Sequence, residues 1–150
     1  VLRDCSRAKR IDLLETLEPG DVSALLHDWQ LWARDDQLPP DRLFVTWLVL
    51  GGRGAGKTRA GAEWVRAIAL NDPQARIALI GETLGDARAV MVEGVSGLLS
   101  VHADHKRPMF EPSKKQVTWK NGAVAQLFSA EEPESLRGQQ HSHLWADDER

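Results

Sequence analysis

Gly51-Gly52-Arg53-Gly54-Ala55-Gly56-Lys57-Thr58 is the stretch that decides how this chain is expected to fold. It fits the pattern G-x-x-x-x-G-K-[ST], the phosphate-binding loop (P-loop) of nucleoside triphosphatases. In such a loop, glycines let successive backbone N–H groups turn towards the phosphates, the lysine reaches the β and γ oxygens, and the Ser or Thr hydroxyl ligates magnesium. Residues 51–58 are therefore predicted to bind ATP with Mg²⁺, with Lys57 on the phosphates and Thr58 on the metal.

The flanks of this loop fit a strand before it and a helix after it. Residues 43–50 form an apolar run of strand length, which predicts a buried strand that ends where the glycines begin. Residues 58–70 carry small or apolar side chains at helical spacing, so the loop is expected to open a helix whose N-terminal amides and dipole face the anion. This context disfavours the alternative, a glycine-rich turn that contains Lys-Thr by chance.

The composition is that of an ordinary globular domain. The chain has 150 residues, of which 42% are hydrophobic, so one domain able to bury a core is expected. Cys5 is the single cysteine, which excludes an internal disulfide and fits a reducing compartment. No apolar run approaches the roughly 18 residues needed to span a bilayer, and the amino end carries no secretory signal. A cytoplasmic protein without membrane contact is predicted.

The charge gives no broad nucleic-acid footprint. The formal net charge is −3, so any contact with DNA has to be local. Two short basic clusters lie at residues 7–10 and 114–120. Short charge runs of this kind are usually solvated surface, and we assign them no function.

The remaining pattern predicts an α/β domain with a largely parallel sheet flanked by helices. The further predicted elements are a short helix at 11–17, a helix at 21–34 started by Asp21 or Ser23, a strand at 76–81, a helix, a break and a short helix within 84–101, a hairpin of strands 116–119 and 123–128, and an apolar run at 143–146. The order strand, helix, strand around the P-loop predicts parallel pairing, and Asn121-Gly122 predicts the hairpin insert.

Three acidic residues follow the last apolar run, and they suggest the second half of a hydrolytic site. A P-loop ATPase also needs an acid on the magnesium side and a residue that activates water. Asp148 with Glu149 supplies the pair directly, whereas Asp147 with Asp148 is the alternative register and gives a shorter reach. We favour Asp148 or Asp147 on the metal and Glu149 as the catalytic base. The plain alternative is a solvated acidic tail.

Two arginines are candidates for stabilising the charge that builds on a transferred phosphoryl group. Arg53 lies inside the P-loop, where its side chain can point at the γ-phosphate. Arg137 lies in Ser135-Leu136-Arg137-Gly138, just before the last apolar run. Either side chain can instead be a surface arginine.

Taken in order, these motifs resemble the ATPase portion of the large terminase subunits of tailed phages and gene transfer agents, which drive DNA into preformed capsids. Residues 32–40 resemble the family's upstream segment that contacts adenine, and residues 51–64 are similar to its arginine-bearing Walker A motif. Three short stretches between residues 121 and 138 resemble the part that precedes Walker B, and residues 144–149 resemble Walker B itself.

The resemblance implies roles for individual residues and for partners. It implies that Gln37 contacts the base, that Arg53 senses the γ-phosphate, and that Arg137 acts as a finger on the nucleotide of a neighbouring subunit. A homo-oligomeric ring around double-stranded DNA follows, with a small terminase subunit and the capsid portal as further partners. For Gln37 the alternative is a polar residue that ends a helix before Pro39.

The resemblance also implies a P-loop NTPase fold of the ASCE type and sets expectations for domain organisation. Family members continue past Walker B with a coupling motif, further strands and a metal-dependent nuclease domain. Residues 1–20 are expected to be an N-terminal extension and residues 21–150 a partial ATPase domain, an incomplete core that ends at Walker B, with the nuclease domain absent. Hydrolysis by this chain alone is expected to be weak or absent.

Three functions are consistent with these motifs. The first is an ATP-hydrolysing subunit of a DNA-packaging motor, in truncated form. The second is a nucleotide-binding remnant without turnover. The third is a small P-loop kinase, which is less favoured because the sequence shows no arginine-rich lid and does show an Asp-Glu pair after an apolar run.

Overall fold

The computed structural model describes residues 6–147 and has a mixed α/β fold. The helices are α1 Arg7–Glu15, α2 Pro19–Leu26, α3 Trp29–Trp32, α4 Lys57–Asn71 and α5 Leu84–Asp86, the last continued by a π-helical turn Ala87–Val92. The strands are β1 Arg76–Gly81, β2 Met109–Glu111, β3 Gln116–Thr118, β4 Val124–Ser129 and β5 His143–Ala146. Short 3-10 turns lie at Asp35–Gln37, Asp104–Lys106, Pro112–Lys114 and Pro133–Leu136.

The strands form one sheet in the order β2-β3-β4-β1-β5. Strand β1 pairs in parallel with β4 on one side and with β5 on the other, whereas β2, β3 and β4 pair antiparallel. The prediction of a largely parallel sheet is therefore wrong. The predicted hairpin does form, but β4 also pairs with β1, so the hairpin strands extend the main sheet. Its short connection permits only antiparallel pairing.

The strand predicted at residues 43–50 does not form. Leu43 and Val45 are fully exposed, and Leu48 and Leu50 are mostly exposed. A strand needs a neighbour for its backbone N–H and C=O groups as well as apolar side chains. Among the described strands β5 pairs only with β1, so its outer edge is unpaired, and residues 43–50 do not pair with it. The predicted β-α-β unit around the P-loop is therefore not present.

The helix predicted at 21–34 is divided into α2 and α3. Its start signal is Pro19 in the first turn after Glu18, not Asp21 or Ser23. The break falls at His27, whose ring nitrogen Nδ1 lies 2.8 Å from the Ser23 carbonyl oxygen. The His27 carbonyl accepts a hydrogen bond of 2.6 Å from Arg66 in α4. A tertiary contact thus takes the carbonyl that would otherwise continue the helix.

Most other predicted elements are confirmed. Helix α4, strand β1, the hairpin β3–β4 and strand β5 lie where the sequence places them, and α1 begins four residues before the predicted start at residue 11. Within 84–101 the first helix forms, but turns replace the second. Strand β2 has no signal in the sequence, because three residues are too short for a detectable alternation.

The core lies between one face of the sheet, helix α4 and the π-helical turn Ala87–Val92. Its buried members include Val65 of α4, Leu79 of β1, Met91 of the π-helical turn and Leu127 of β4. Helix α4 ends beside the start of β1, so its first turn lies at the end of the sheet where β1, β4 and β5 have their carboxyl ends. The fold therefore brings the P-loop towards the strand edge where ligands of α/β proteins usually bind.

Candidate functional site

The glycine loop has a backbone that only glycine adopts without strain at two positions. Gly54 and Gly56 have φ values of +79° and +80°, in the left-handed region. A Cβ on Gly51 would lie 2.7 Å from the Cβ of Ala55, so residues 51 and 55 of the loop approach closely. The Ala55 N–H closes a turn onto the Gly52 carbonyl at 3.2 Å. The loop is a tight turn that delivers Gly56 to the N-terminal cap of α4.

Lys57 begins α4 and folds back over the loop. Its Nζ donates to the carbonyl oxygens of Gly51 at 2.9 Å and Gly52 at 3.2 Å. Thr58 is the next residue of the helix and is half-buried. The first-turn N–H groups of a helix have no intrahelical acceptors and carry the positive end of its dipole. These groups together with an ammonium and a hydroxyl fit a triphosphate carrying a divalent cation.

The segment before the loop packs directly against it. Gln37 has only 7% of its surface exposed, and its amide Nε2 lies 3.3 Å from the Ala55 carbonyl oxygen. The Arg34 guanidinium donates to the same oxygen at 2.9 Å and pairs with Asp36 at 3.0 Å. Residues 34–37 therefore contact the P-loop backbone. The predicted contact of Gln37 with a base stays a prediction.

Arg59 and Arg66 of α4 contact the segment that precedes the loop, and a buried carboxylate holds both guanidinium groups. Glu63 is buried and lies between Arg59 at 2.7 Å and Arg66 at 3.0 Å. Burial raises the pKa of Glu63 above its ordinary value, while Arg66 and Arg59 oppose this effect. Arg59 also lies over the ring of Trp29, 5.4 Å from its centroid. The residues nearest the loop on α4 are thereby fixed in position.

One of the predicted acids lies at the carboxyl edge of the sheet. Asp147 directly follows β5, and its N–H donates to the Ile80 carbonyl at 3.1 Å. Its Oδ2 is buried and has no hydrogen-bond partner among residues 6–147. The side chains lining the adjacent small cavity are those of Glu82, Asp86, Val90, Met91 and Asp147, together with Gly81. Asp148 and Glu149 lie outside the described residues.

The two candidate arginines are both exposed, and they differ in their contacts. Arg53 lies at the tip of the glycine loop, and its side chain has no hydrogen bond or ion pair with the side chains that the structure describes. Arg137 pairs with Glu134 at 2.9 Å, and 79% of its side chain is exposed. Arg53 is thus an exposed residue of the loop itself, and Arg137 is a surface residue directly after the turn Pro133–Leu136.

Two kinds of feature are absent from the described part of the chain. Between residues 6 and 147 no group of three or more His, Cys, Asp or Glu side chains is arranged to hold a metal ion. None of the helices in this range is long and apolar enough to cross a membrane.

Sequence reasoning missed the contacts that Arg34, Arg59 and Arg66 make. The spacing of Arg59, Glu63 and Arg66 places the three side chains on one helix face, and this spacing is a sequence signal that indicates an ion-pair network. No comparable local signal identifies Arg34, because its partner Ala55 lies 21 residues away.

Comparison with known proteins gives one family. Residues 48–149 match the family described as "Terminase large subunit, T4likevirus-type, N-terminal". Neither the curated proteins nor the solved structures gave a match to the chain.

Proposed function

Because the chain belongs to the terminase large-subunit family named above, we propose that it is the nucleotide-binding portion of a DNA-packaging ATPase. The observation that carries the proposal is the P-loop, a tight glycine turn that leads into α4 with the Lys57 ammonium folded over its carbonyls. A helix N-terminus preceded by such a turn is a site for phosphate. The matched range includes both the P-loop and Asp147.

In this proposal the P-loop binds the triphosphate of ATP. The backbone N–H groups at the start of α4 and the Lys57 ammonium contact phosphate oxygens, and Lys57 exchanges its two carbonyl partners for them. The Thr58 hydroxyl ligates Mg²⁺. ATP with Mg²⁺ supplies the phosphoryl group whose transfer to water drives such motors. The opposite charges of site and ligand favour this exchange, because charge-assisted hydrogen bonds are stronger than those to neutral carbonyls.

The acids after β5 provide the other side of the proposed site. Asp147 or Asp148 ligates Mg²⁺, and Glu149 takes a proton from the attacking water. The buried Oδ2 of Asp147 supports a metal-side role for this residue, because a carboxylate oxygen that is removed from water needs a cation or a donor. Asp147 also follows a strand parallel to β1, at the edge towards which α4 presents its first turn.

The arginines and the partners complete the proposal. Arg53 stabilises charge on the γ-phosphate from within the loop. Arg137 has 79% of its side chain exposed, which suits a residue that acts on the nucleotide of a neighbouring subunit. We further propose that the chain works in a homo-oligomeric ring around double-stranded DNA, with a small terminase subunit and a capsid portal as partners.

Titration with MgATP tests the proposal. Lys57→Ala is expected to weaken MgATP binding at least about tenfold, because it removes the cation that contacts two phosphates. Lys106→Ala is the matched control, since Lys106 is an exposed lysine far along the chain from the loop. A wild-type chain that binds no MgATP, or a Lys57→Ala variant that binds as tightly as wild type, would overturn the proposal.

Turnover is measured with the same proteins. Phosphate release that depends on Lys57 indicates an ATPase, and binding without release indicates a nucleotide-binding module. Glu149→Gln is expected to lower any release at least about a hundredfold while MgATP still binds, because it removes the base and keeps the phosphate contacts.

A further inference from the structure

We propose that Gln37 and Arg34 are positioning residues that hold the P-loop in its phosphate-binding shape through the Ala55 carbonyl, an inference that rests on the nucleotide site proposed above. Both side chains come from the segment before the loop, and both donate to this one oxygen. We call this arrangement the clamp: the Arg34 guanidinium and the Gln37 amide both donate to the Ala55 carbonyl oxygen.

Both ends of the Gln37 amide are used inside the chain. Its Oε1 accepts a hydrogen bond from the Arg34 backbone N–H at 3.1 Å, and its Nε2 lies 3.3 Å from the Ala55 carbonyl and 3.5 Å from that of Gly56. The side chain is 7% exposed. A glutamine that recognised a base would need its donor and acceptor turned towards that base. Here they are turned towards the backbone.

The P-loop is shaped to receive this amide. A Cβ on Gly56 would overlap the Nε2 of Gln37, so the amide occupies the space that a side chain at position 56 would need. The same glycine has φ +80°. Gly56 therefore serves two purposes, since it permits the left-handed turn into α4 and the approach of Gln37.

The clamp fixes the direction of one peptide plane. The described residues include no cis peptide bond, and in a trans peptide the C=O and N–H groups point in opposite directions. When the Ala55 carbonyl points at Arg34 and Gln37, the N–H of Gly56 points away from them. This N–H directly precedes the first turn of α4, where free amides bind phosphate. The clamp thus orients the Gly56 N–H as a hydrogen-bond donor to phosphate, without itself contacting a ligand.

Positioning and base recognition predict different binding patterns. Loss of positioning weakens every ligand that carries a triphosphate by the same factor. Loss of a base contact weakens ATP alone and leaves a triphosphate without a base unaffected. The magnesium complexes of ATP, GTP and inorganic tripolyphosphate therefore separate the two roles.

The experiment compares wild type with Gln37→Met, which keeps the side-chain length and removes both hydrogen-bonding ends. We expect all three ligands to bind about tenfold more weakly, the scale of one hydrogen bond, with the ratios among them unchanged. Gln30→Met is the control, because Gln30 is an exposed glutamine on α3, just before the clamp residues. This variant should bind all three ligands as wild type does. Arg34→Ala should show the same uniform loss, about threefold or more.

Arg34→Ala also guards against a folding artefact. Its side chain is 57% exposed, so its removal leaves the core closed, and thermal unfolding reports whether each variant is folded. Should Gln37→Met fail to fold, a uniform loss in Arg34→Ala still supports the clamp. Unchanged tripolyphosphate affinity in the folded variants, or a loss confined to ATP, would overturn the clamp while the nucleotide site stands. A wild-type chain that binds none of the three ligands overturns both.

Discussion

The two segments that flank the P-loop both carry apolar side chains, and these side chains have opposite environments. Downstream, α4 presents Val65, which is completely buried in the core. Upstream, residues 43–50 include Val45, which is fully exposed. Apolar content does not explain this difference, because residues 43–50 are the more apolar of the two segments. What differs is the set of partners available to each.

Helix α4 has three kinds of partner, whereas within residues 43–50 Trp47 and Val49 are half-buried and the other six residues are exposed. Gly61 packs against the ring of Trp145 in β5, Arg66 donates to the carbonyls of His27 and Val101, and the apolar face of the helix joins the core. The upstream segment pairs with no described strand. An apolar run therefore becomes buried only where the fold offers a matching surface.

The largest effect is expected where α4 meets β5. Gly61→Val would place its Cβ inside the ring of Trp145, which is itself buried in the core. Because the Trp145 ring is packed among core residues, the added side chain forces α4 away from β5 or the ring out of its place. We expect a loss of about 3 kcal/mol or more in the free energy of unfolding, measured by urea denaturation.

Gly20→Ala is the matched control, because Gly20 is helical and no atom lies within 4 Å of the position of its added Cβ. It should be neutral or stabilise by up to about 1 kcal/mol, since alanine favours a helix over glycine. Equal stability of Gly61→Val and wild type would show that α4 does not pack on β5.

A smaller effect on the free energy of unfolding is expected when the pH is lowered, because of the buried His102. His102 is buried, donates from Nδ1 to the Leu98 carbonyl at 2.6 Å, and accepts from the Trp119 indole at 2.9 Å. Burial lowers its pKa from 6.5 to about 4. Below pH 6.5 the His102 imidazole is protonated in the unfolded chain but stays neutral in the folded chain. Stability is therefore lost as the pH falls towards 4. Between about pH 7 and about pH 5 we expect a loss of about 2 kcal/mol.

Two histidine variants check this assignment. His102→Asn should remove most of the pH dependence of the free energy of unfolding between about pH 7 and about pH 5, at the cost of lower stability at every pH. His105→Asn changes an exposed histidine nearby and should keep the wild-type slope. An unchanged slope in His102→Asn would contradict the assignment to the buried ring.

Much of the fold follows from the sequence, and the missing part has a physical cause. Helix α4, strand β1 and the hairpin β3–β4 are predictable because periodicity, the P-loop and Asn121-Gly122 are local signals. The strand at 43–50 and the largely parallel sheet are not correctly predicted. Both depend on which strands meet, and strand pairing is a nonlocal property that an apolar run does not encode.

The candidate site divides in the same way. The loop residues 51–58 and the acid at the end of β5 can be located from motif and spacing. The clamp of Arg34 and Gln37 on Ala55 cannot, because it joins residues about twenty positions apart through a backbone carbonyl, which carries no side-chain signature. The sequence identifies groups that could contact a ligand, and it leaves hidden those that hold the backbone.

The smallest effect is expected from residues 43–50, where the exposed Val45 can be compared directly with the buried Val65 of α4. Val45→Ala removes the same atoms as Val65→Ala, but Val45 is fully exposed and Val65 is fully buried. We expect Val45→Ala to change the free energy of unfolding by less than about 0.5 kcal/mol and Val65→Ala to lower it by about 2 kcal/mol, both measured by urea denaturation. A comparable loss in Val45→Ala would mean that residues 43–50 are buried in solution. The unpaired edge of β5 would then be the first place to seek their partner.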